Sequence, residues 1–315
     1  MMNARIRALL VLMRVSNLPT VWSNIFAGWT LGLCLRSSDI HDSQKLVGLF
    51  FNFNLLLLLV GASCVYAAGM VLNDLFDLGW DREHRPERPL VAGRLSLSSA
   101  RVATVCLLTA GASLIILGSA SLARNYVGVQ VLALVGLIFI YNRWHKGVAW
   151  APYVMGLCRF MLPLIGFVAT GAGPAASTFA LKVLFNHAAS LWLLTVLITL
   201  LARYETRPSG LTSDKDFLML LVPIPLLGVL PWNGLIWVSA VGFWLWVLIS
   251  NRRHPMPAGV GGRVEDRLAA FPFVDAMVVG LAFGIVAPVV AVVLHAFLLG
   301  CLVLILIGRR FVPVT

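Results

Sequence analysis

Between Lys45 and Asp74 the chain carries no Asp, Glu, Lys, Arg or His. A helix that crosses the hydrocarbon core of a bilayer takes roughly 20 apolar residues, so this stretch has the length and character of a membrane span. Counting this one at 47–72, apolar runs lie near 18–35, 47–72, 100–121, 125–142, 151–171, 184–202, 217–231, 234–250, 272–289 and 290–308. Charged or Gly-, Pro- and Ser-rich connections separate them, except that Pro288 alone divides the last two. The expected fold is an all-α integral membrane bundle of nine or ten transmembrane helices. Only 12% of the 315 residues are charged and the mean hydropathy is +0.91, so little chain is left for a separate soluble domain. Residues 1–315 are expected to form one polytopic domain, capped by charged loops near 73–99 and 203–216.

The net charge of +11 would suggest nucleic acid in a soluble protein. In a membrane protein, Lys and Arg collect in cytoplasmic loops instead, and no nucleic-acid partner is expected. Placing the N-terminus and every second connection on one side gathers 17 of the 24 Lys and Arg there, including Arg14, Arg85, Arg88, Lys146 and Arg203. Opposite connections hold only Arg36, Lys45, Arg124 and Lys182. The N-terminus and the charged loops are therefore expected in the cytoplasm, with the chain in the plasma (inner) membrane. Arg14 interrupts the first apolar run, which argues against a cleaved signal. The five cysteines lack CxxC or Cys/His spacing and read as small buried thiols.

The strongest chemical signal is NDLFDLGWD, 73–81, at the end of an apolar run. On a continuing helix Asp74, Asp77 and Asp81, spaced i, i+3, i+7, share one face. Three like charges on a stripe call for a neutralising cation, and magnesium suits hard oxygen ligands while leaving positions for substrate phosphates. Arg82, Arg85, Arg88 and Arg94 follow at once, stiffened by Pro86 and Pro89. Arginine forks bind phosphate oxygens bidentately, so acids beside arginines make a candidate diphosphate site.

Three other places carry weaker signals. In YNRWHKG, 141–147, Tyr141 and Lys146 suit either a substrate site or interfacial anchoring, and His145 reads as an ordinary loop histidine. Arg159 sits inside an apolar segment, where a charge costs at least ~2.5–3.5 kcal/mol; it either lines a pocket or snorkels to the interface. Arg203 and Glu205 end another span, as thin ligands for substrate and metal or as a helix-end anchor.

These residues resemble the UbiA-type superfamily of intramembrane prenyltransferases. The resemblance is most specific in 73–96, which is similar to the family's first aspartate-rich motif and its RPxRP continuation. It extends loosely to 14–29 and to the Tyr141–Lys146 segment. It implies a nine-helix bundle with a central cavity and magnesium held by Asn73, Asp74, Asp77 and Asp81, with Glu205 left from a second motif. Asp74, Asp77 and Lys146 would be the catalytic groups. Arg85, Arg88, Arg159, Arg203 and Tyr141 would bind the donor diphosphate or line the pocket. The partners implied are an isoprenoid diphosphate donor and a small lipophilic or aromatic acceptor. In the second motif this chain has Arg203, Tyr204 and Glu205 where the family has several aspartates, which leaves a second magnesium few ligands. The combination of YNRWHKG, MGLCR and ARYE is also similar to an EboC-like subgroup. That points to the alternative of a non-catalytic component that transports or exports a metabolite precursor.

Overall fold

A computed structural model describes residues 4–36, 43–146, 148–172, 176–204, 217–256, 258–284 and 288–312. Among these the secondary structure is helical, without strands. The first half comprises α1 (Ala4–Leu12), α2 (Leu18–Arg36), α3 (Ser43–Phe50), α4 (Phe53–Phe76), α5 (Leu78–His84), α6 (Leu97–Leu117), α7 (Arg124–Trp144) and α8 (Ala151–Ala169). The second comprises α9 (Thr178–Tyr204), α10 (Gly234–Arg253), α11 (Val260–Leu268), α12 (Phe271–Val279) and α13 (Pro288–Phe311). Among the described residues, seven helical stretches are long and apolar enough to cross a membrane: Val47–Phe76, Leu97–Leu117, Ser121–Trp144, Ala151–Ala169, Thr178–Arg203, Gly234–Arg253 and Pro288–Phe311. Helices close their backbone hydrogen bonds internally, which hydrocarbon requires.

α2 is as long as α8 yet is not among the seven. It packs against α4, α8, α12 and α13, at the centre of the bundle. Its Thr20, Ser23, Asn24 and Thr30 are buried beside Ile25, Phe26 and Ala27. A helix surrounded by protein does not need lipid-grade hydrophobicity, because its polar groups find partners inside. The peripheral helices show the converse: Val102 and Val105 on α6 and Val129 and Leu132 on α7 are exposed, an apolar outer face suited to lipid. Cys106 is exposed on α6, whereas Cys34 and Cys301 are buried, so the reading of all five as buried thiols does not hold.

Several helices break where the sequence was read as one span. The run 47–72 divides at Phe51–Asn52, where the Asn52 side chain caps α4 by accepting from the Leu55 N–H at 3.0 Å. The Phe50 carbonyl at that break accepts from Trp29 Nε1 at 3.1 Å. The stretch 217–231 forms a 3₁₀ turn, Leu218–Leu221, and a single helical turn, Ile224–Leu227, because Pro223 and Pro225 each remove a backbone donor. α12 gives way after nine residues to a 3₁₀ turn, Gly280–Gly284, and α13 starts at Pro288.

α2 and α8 approach closely at glycines. A Cβ on Gly28 would fall on the Pro163 carbonyl oxygen, and one on Gly166 on the Ile25 carbonyl oxygen. Small residues admit such backbone contact, which carries helix association where burial from water cannot. Gly28→Val is therefore expected to destabilise the protein by about 1–3 kcal/mol or more. Gly136→Ala, whose Cβ would meet nothing within 4 Å, is expected to leave thermal unfolding in detergent nearly unchanged.

Candidate active site

α4 ends at Phe76, and Asp77 joins it to α5 with φ −85° and ψ −4°. The helical bonding nearly continues, since the Asp77 N–H donates to Asn73 O and the Asp81 N–H to Asp77 O, both at 2.9 Å. The small bend divides the three carboxylates between two sets of partners. Asp74 and Asp81 share Arg88, whose Nη1 lies 2.8 Å from Asp74 Oδ1 and 3.0 Å from Asp81 Oδ2. Asp77 turns toward the loop after α7, with Lys146 Nζ at 2.7 Å and His145 Nε2 at 3.2 Å from its Oδ1. Asn73, Asp74, Asp77 and Asp81 are all buried. Asn73 Nδ2 donates to Asn142 Oδ1 at 3.0 Å, which ties the motif to the end of α7.

Sequence reading missed several of these contacts. Arg14 is the only non-glycine residue with positive φ (48°) among the described residues, and its Nη2 lies 3.8 Å from Asp74 Oδ1. An arginine held in left-handed backbone beside a buried carboxylate is the kind of local strain found at functional sites. His145, read as an ordinary loop histidine, contacts Asp77 and stacks on Tyr141 at 5.2 Å between ring centroids. Trp80 carries Lys146 over its face at 4.5 Å and Arg85 at 5.9 Å. The remaining candidates are less direct. Arg203 Nη2 donates to the carbonyls of His145 and Val148 at 3.1 and 2.9 Å, so it holds the loop that bears Lys146. Glu205, with the rest of the 205–216 segment, lies outside the described residues.

Two cavities lie beside this site. A polar one of about 310 Å³ is lined by Phe76, Asp77, Asn142, His145 and Lys146 among others. A narrow apolar slot of about 70 Å³ runs between α2, α4, α7 and α8, lined by Val65, Leu134, Met155, Arg159 and Leu162, with Asn142 common to both. Arg159 thus lines the slot, midway along α8.

The acids are nearly balanced by the chain's own cations, and no cluster of three or more His, Cys, Asp or Glu set to hold a metal occurs among the described residues. The donors are nonetheless hard oxygens of the kind magnesium takes. Asp81 Oδ1 is buried and has no hydrogen-bond partner among the described residues, an acceptor left open for a cation.

Burial pushes the Asp77 carboxyl up, but His145 and Lys146 outweigh it and hold the carboxyl below the ordinary value of 3.8. Burial also pushes Asp81 up, and there the nearby Arg88 does not fully offset it. A depressed Asp77 contributes stability that is present above its unfolded-state pKa and lost as pH falls through the folded one. Thermal melts between about pH 3 and pH 5 should therefore show an acid-dependent loss that Asp77→Asn reduces. Arg88→Ala strands two buried carboxylates and is expected to cost about 3 kcal/mol, read in the same melts at neutral pH.

A 134-residue stretch is 32% identical to 2-acylphloroglucinol 4-prenyltransferase of Humulus lupulus, covering 41% of this chain and 31% of that protein. A 106-residue stretch is 32% identical to digeranylgeranylglyceryl phosphate synthase of Sulfolobus acidocaldarius, covering 34% of each. The matched stretch therefore spans about a third of the length of these curated relatives. A solved structure of digeranylgeranylglyceryl phosphate synthase superposes with a TM-score of 0.57 at 18% identity, over 89% of this chain and 99% of that one, a likeness of fold. Residues 30–258 match the UbiA prenyltransferase family, and the chain belongs to that family.

Proposed function

We propose that this protein is a membrane-embedded, magnesium-dependent prenyltransferase that moves an isoprenoid group from a diphosphate donor to a small lipophilic or aromatic acceptor. The observation that carries the reading is a charged pocket and an apolar slot side by side, with Asn142 in the wall of both. A prenyl diphosphate has the same two-part character. Family membership supports the reaction class, and the two relatives named above carry prenyl-transfer or isoprenoid-lipid synthase names.

Arg14, Arg88 and Lys146 already answer Asp74, Asp77 and Asp81, so a diphosphate brings negative charge that the site alone does not balance. Magnesium held by Asn73, Asp74, Asp77 and Asp81 would supply that balance and draw charge from the leaving group. With the carboxylates turned to metal, the Arg88 fork and Lys146 become available to phosphate oxygens, and Arg85 stands beside them on Trp80. In the transfer the allylic C–O bond breaks and its electron pair leaves with the diphosphate. An electron-rich atom of the acceptor then bonds to the allylic carbon and gives up a proton. The apolar slot keeps water from the cation. Its volume is well below the ~300 Å³ at which ligand pockets begin, so its helices part to admit a tail. The Arg-rich site faces the cytoplasm of the plasma (inner) membrane, by the charge distribution of the loops.

Purified protein with geranyl diphosphate is expected to bind the donor only with magnesium and to release diphosphate with a suitable acceptor. Asp74→Asn and Asp77→Asn should each lower turnover about a hundredfold or more, the several kcal/mol that metal stabilisation provides. Equal turnover in those variants sinks the reading. Binding of a precursor with no magnesium-dependent diphosphate release would assign the chain to transport or export instead.

A further inference from the structure

A second polar constellation lies inside the bundle, where four helices meet. Arg159 on α8 directs its guanidinium at α2, donating from Nη1 to Asn24 Oδ1 at 3.1 Å and from Nη2 to Thr20 Oγ1 at 2.8 Å. The Phe271 ring of α12 lies 4.6 Å from its Cζ. Asn24 hands the contact onward, donating from Nδ2 to Asp275 Oδ2 at 2.8 Å, and His187 Nε2 on α9 lies 2.8 Å from Asp275 Oδ1. Asn24, His187 and Asp275 are fully buried.

Proton positions along this chain follow from the chemistry of its members. Arginine only donates, so Asn24 must present its carbonyl to Arg159 and its amide nitrogen to Asp275. Both Asp275 oxygens then accept, one from Asn24 and one from His187, which carries its proton on Nε2. A neutral Asp275 would leave the Arg159 charge without a counter-ion in a medium where that is costly. The two charges are thus joined through a neutral amide, not in direct contact. A direct pair would bring the guanidinium fork onto the carboxylate; the bridged one takes a single N–H from each Nη. The Nε–H makes no hydrogen bond among the described residues, and Arg159 is the only charged residue in the wall of the apolar slot.

We infer that Asp275 is a positioning residue which, through Asn24, holds the Arg159 guanidinium against the slot as a fixed cation for the oxygen-bearing end of a bound substrate. The catalytic consequence rests on the prenyl-transfer reading; the positioning itself does not. Phe271 backs the guanidinium on the α12 side and Thr20 fixes its second nitrogen, so the group has one orientation available. The charge is neutralised across α8, α2 and α12, while Arg159 remains part of the wall of the slot.

The test uses the full-length protein in lipid nanodiscs, with ¹⁵N-labelled arginine and the Arg159 resonances assigned by their loss in Arg159→Lys. Asp275→Asn keeps the shape but removes the charge that answers Arg159 through Asn24, and the expected result is loss of the resolved Arg159 Nη signals. The double exchange Asn24→Asp with Asp275→Asn restores every pairing: the guanidinium donates to the carboxylate now at 24, the amide at 275 donates to that carboxylate, and its carbonyl accepts from His187. The signals are expected to return. If Asp275→Asn retains the wild-type Arg159 signals, or the double exchange does no better than the single, the inference is wrong. In turnover assays the acceptor KM should rise about tenfold in Asp275→Asn with kcat little changed, and fall back in the double exchange. An unchanged KM would remove the link to substrate. Should wild-type protein show no turnover at all, the prenyl-transfer reading fails while the spectra still decide the positioning.

Discussion

The close seam between α2 and α8 governs the rest of the molecule. With Gly28 against the Pro163 carbonyl and Gly166 against the Ile25 carbonyl, the two backbones approach far nearer than side chains would allow. That approach brings Arg159 within reach of Thr20 and Asn24 and sets one wall of the apolar slot. It also makes α2 the axis of the bundle, so a helix less apolar than its neighbours can lie inside a membrane protein. Pro163 contributes from the other side of the seam, because its missing N–H leaves the Arg159 carbonyl without its usual i+4 donor.

Charge is placed by the same economy throughout. In hydrocarbon an ionised group persists only beside a partner, and the structure has two solutions. At the membrane edge, three carboxylates are shared among Arg14, Arg88, Lys146 and His145, with the Arg14 and Lys146 side chains partly exposed. Inside, Arg159 and Asp275 are spaced by an amide and locked from four helices. The first arrangement suits a site that takes up and releases a charged group, the second one that must not move. Trp80 belongs to the first, since its face holds Arg85 and Lys146, the latter also paired with Asp77.

The helical membrane class was legible because hydropathy accumulates along consecutive residues, and so was the acid-rich motif, whose members lie within nine positions. The breaks at Asn52 and Gly280 were not, since each depends on a partner or a neighbour outside the apolar run: Trp29 Nε1 donating to the Phe50 carbonyl is one example. Lys146 and Tyr141 stood out by type and place, whereas His145 looked like any loop histidine until Asp77 turned toward it. Arg14 counted only as a cytoplasmic cation. Nothing local distinguishes an arginine that will adopt a left-handed backbone beside Asp74.

The sequence by itself determined that the chain is a bundle of membrane helices with a concentration of acids and arginines at one boundary, because composition and spacing are properties of the chain before it folds. Only the tertiary structure decided which cation answers which carboxylate, that a charged pocket and an apolar slot share Asn142 in their walls, and that Asp275 and His187 stand behind Arg159. Asn24 and Asp275 are 251 residues apart, and on a helix apolar on every face, periodicity does not tell which side meets lipid and which meets another helix.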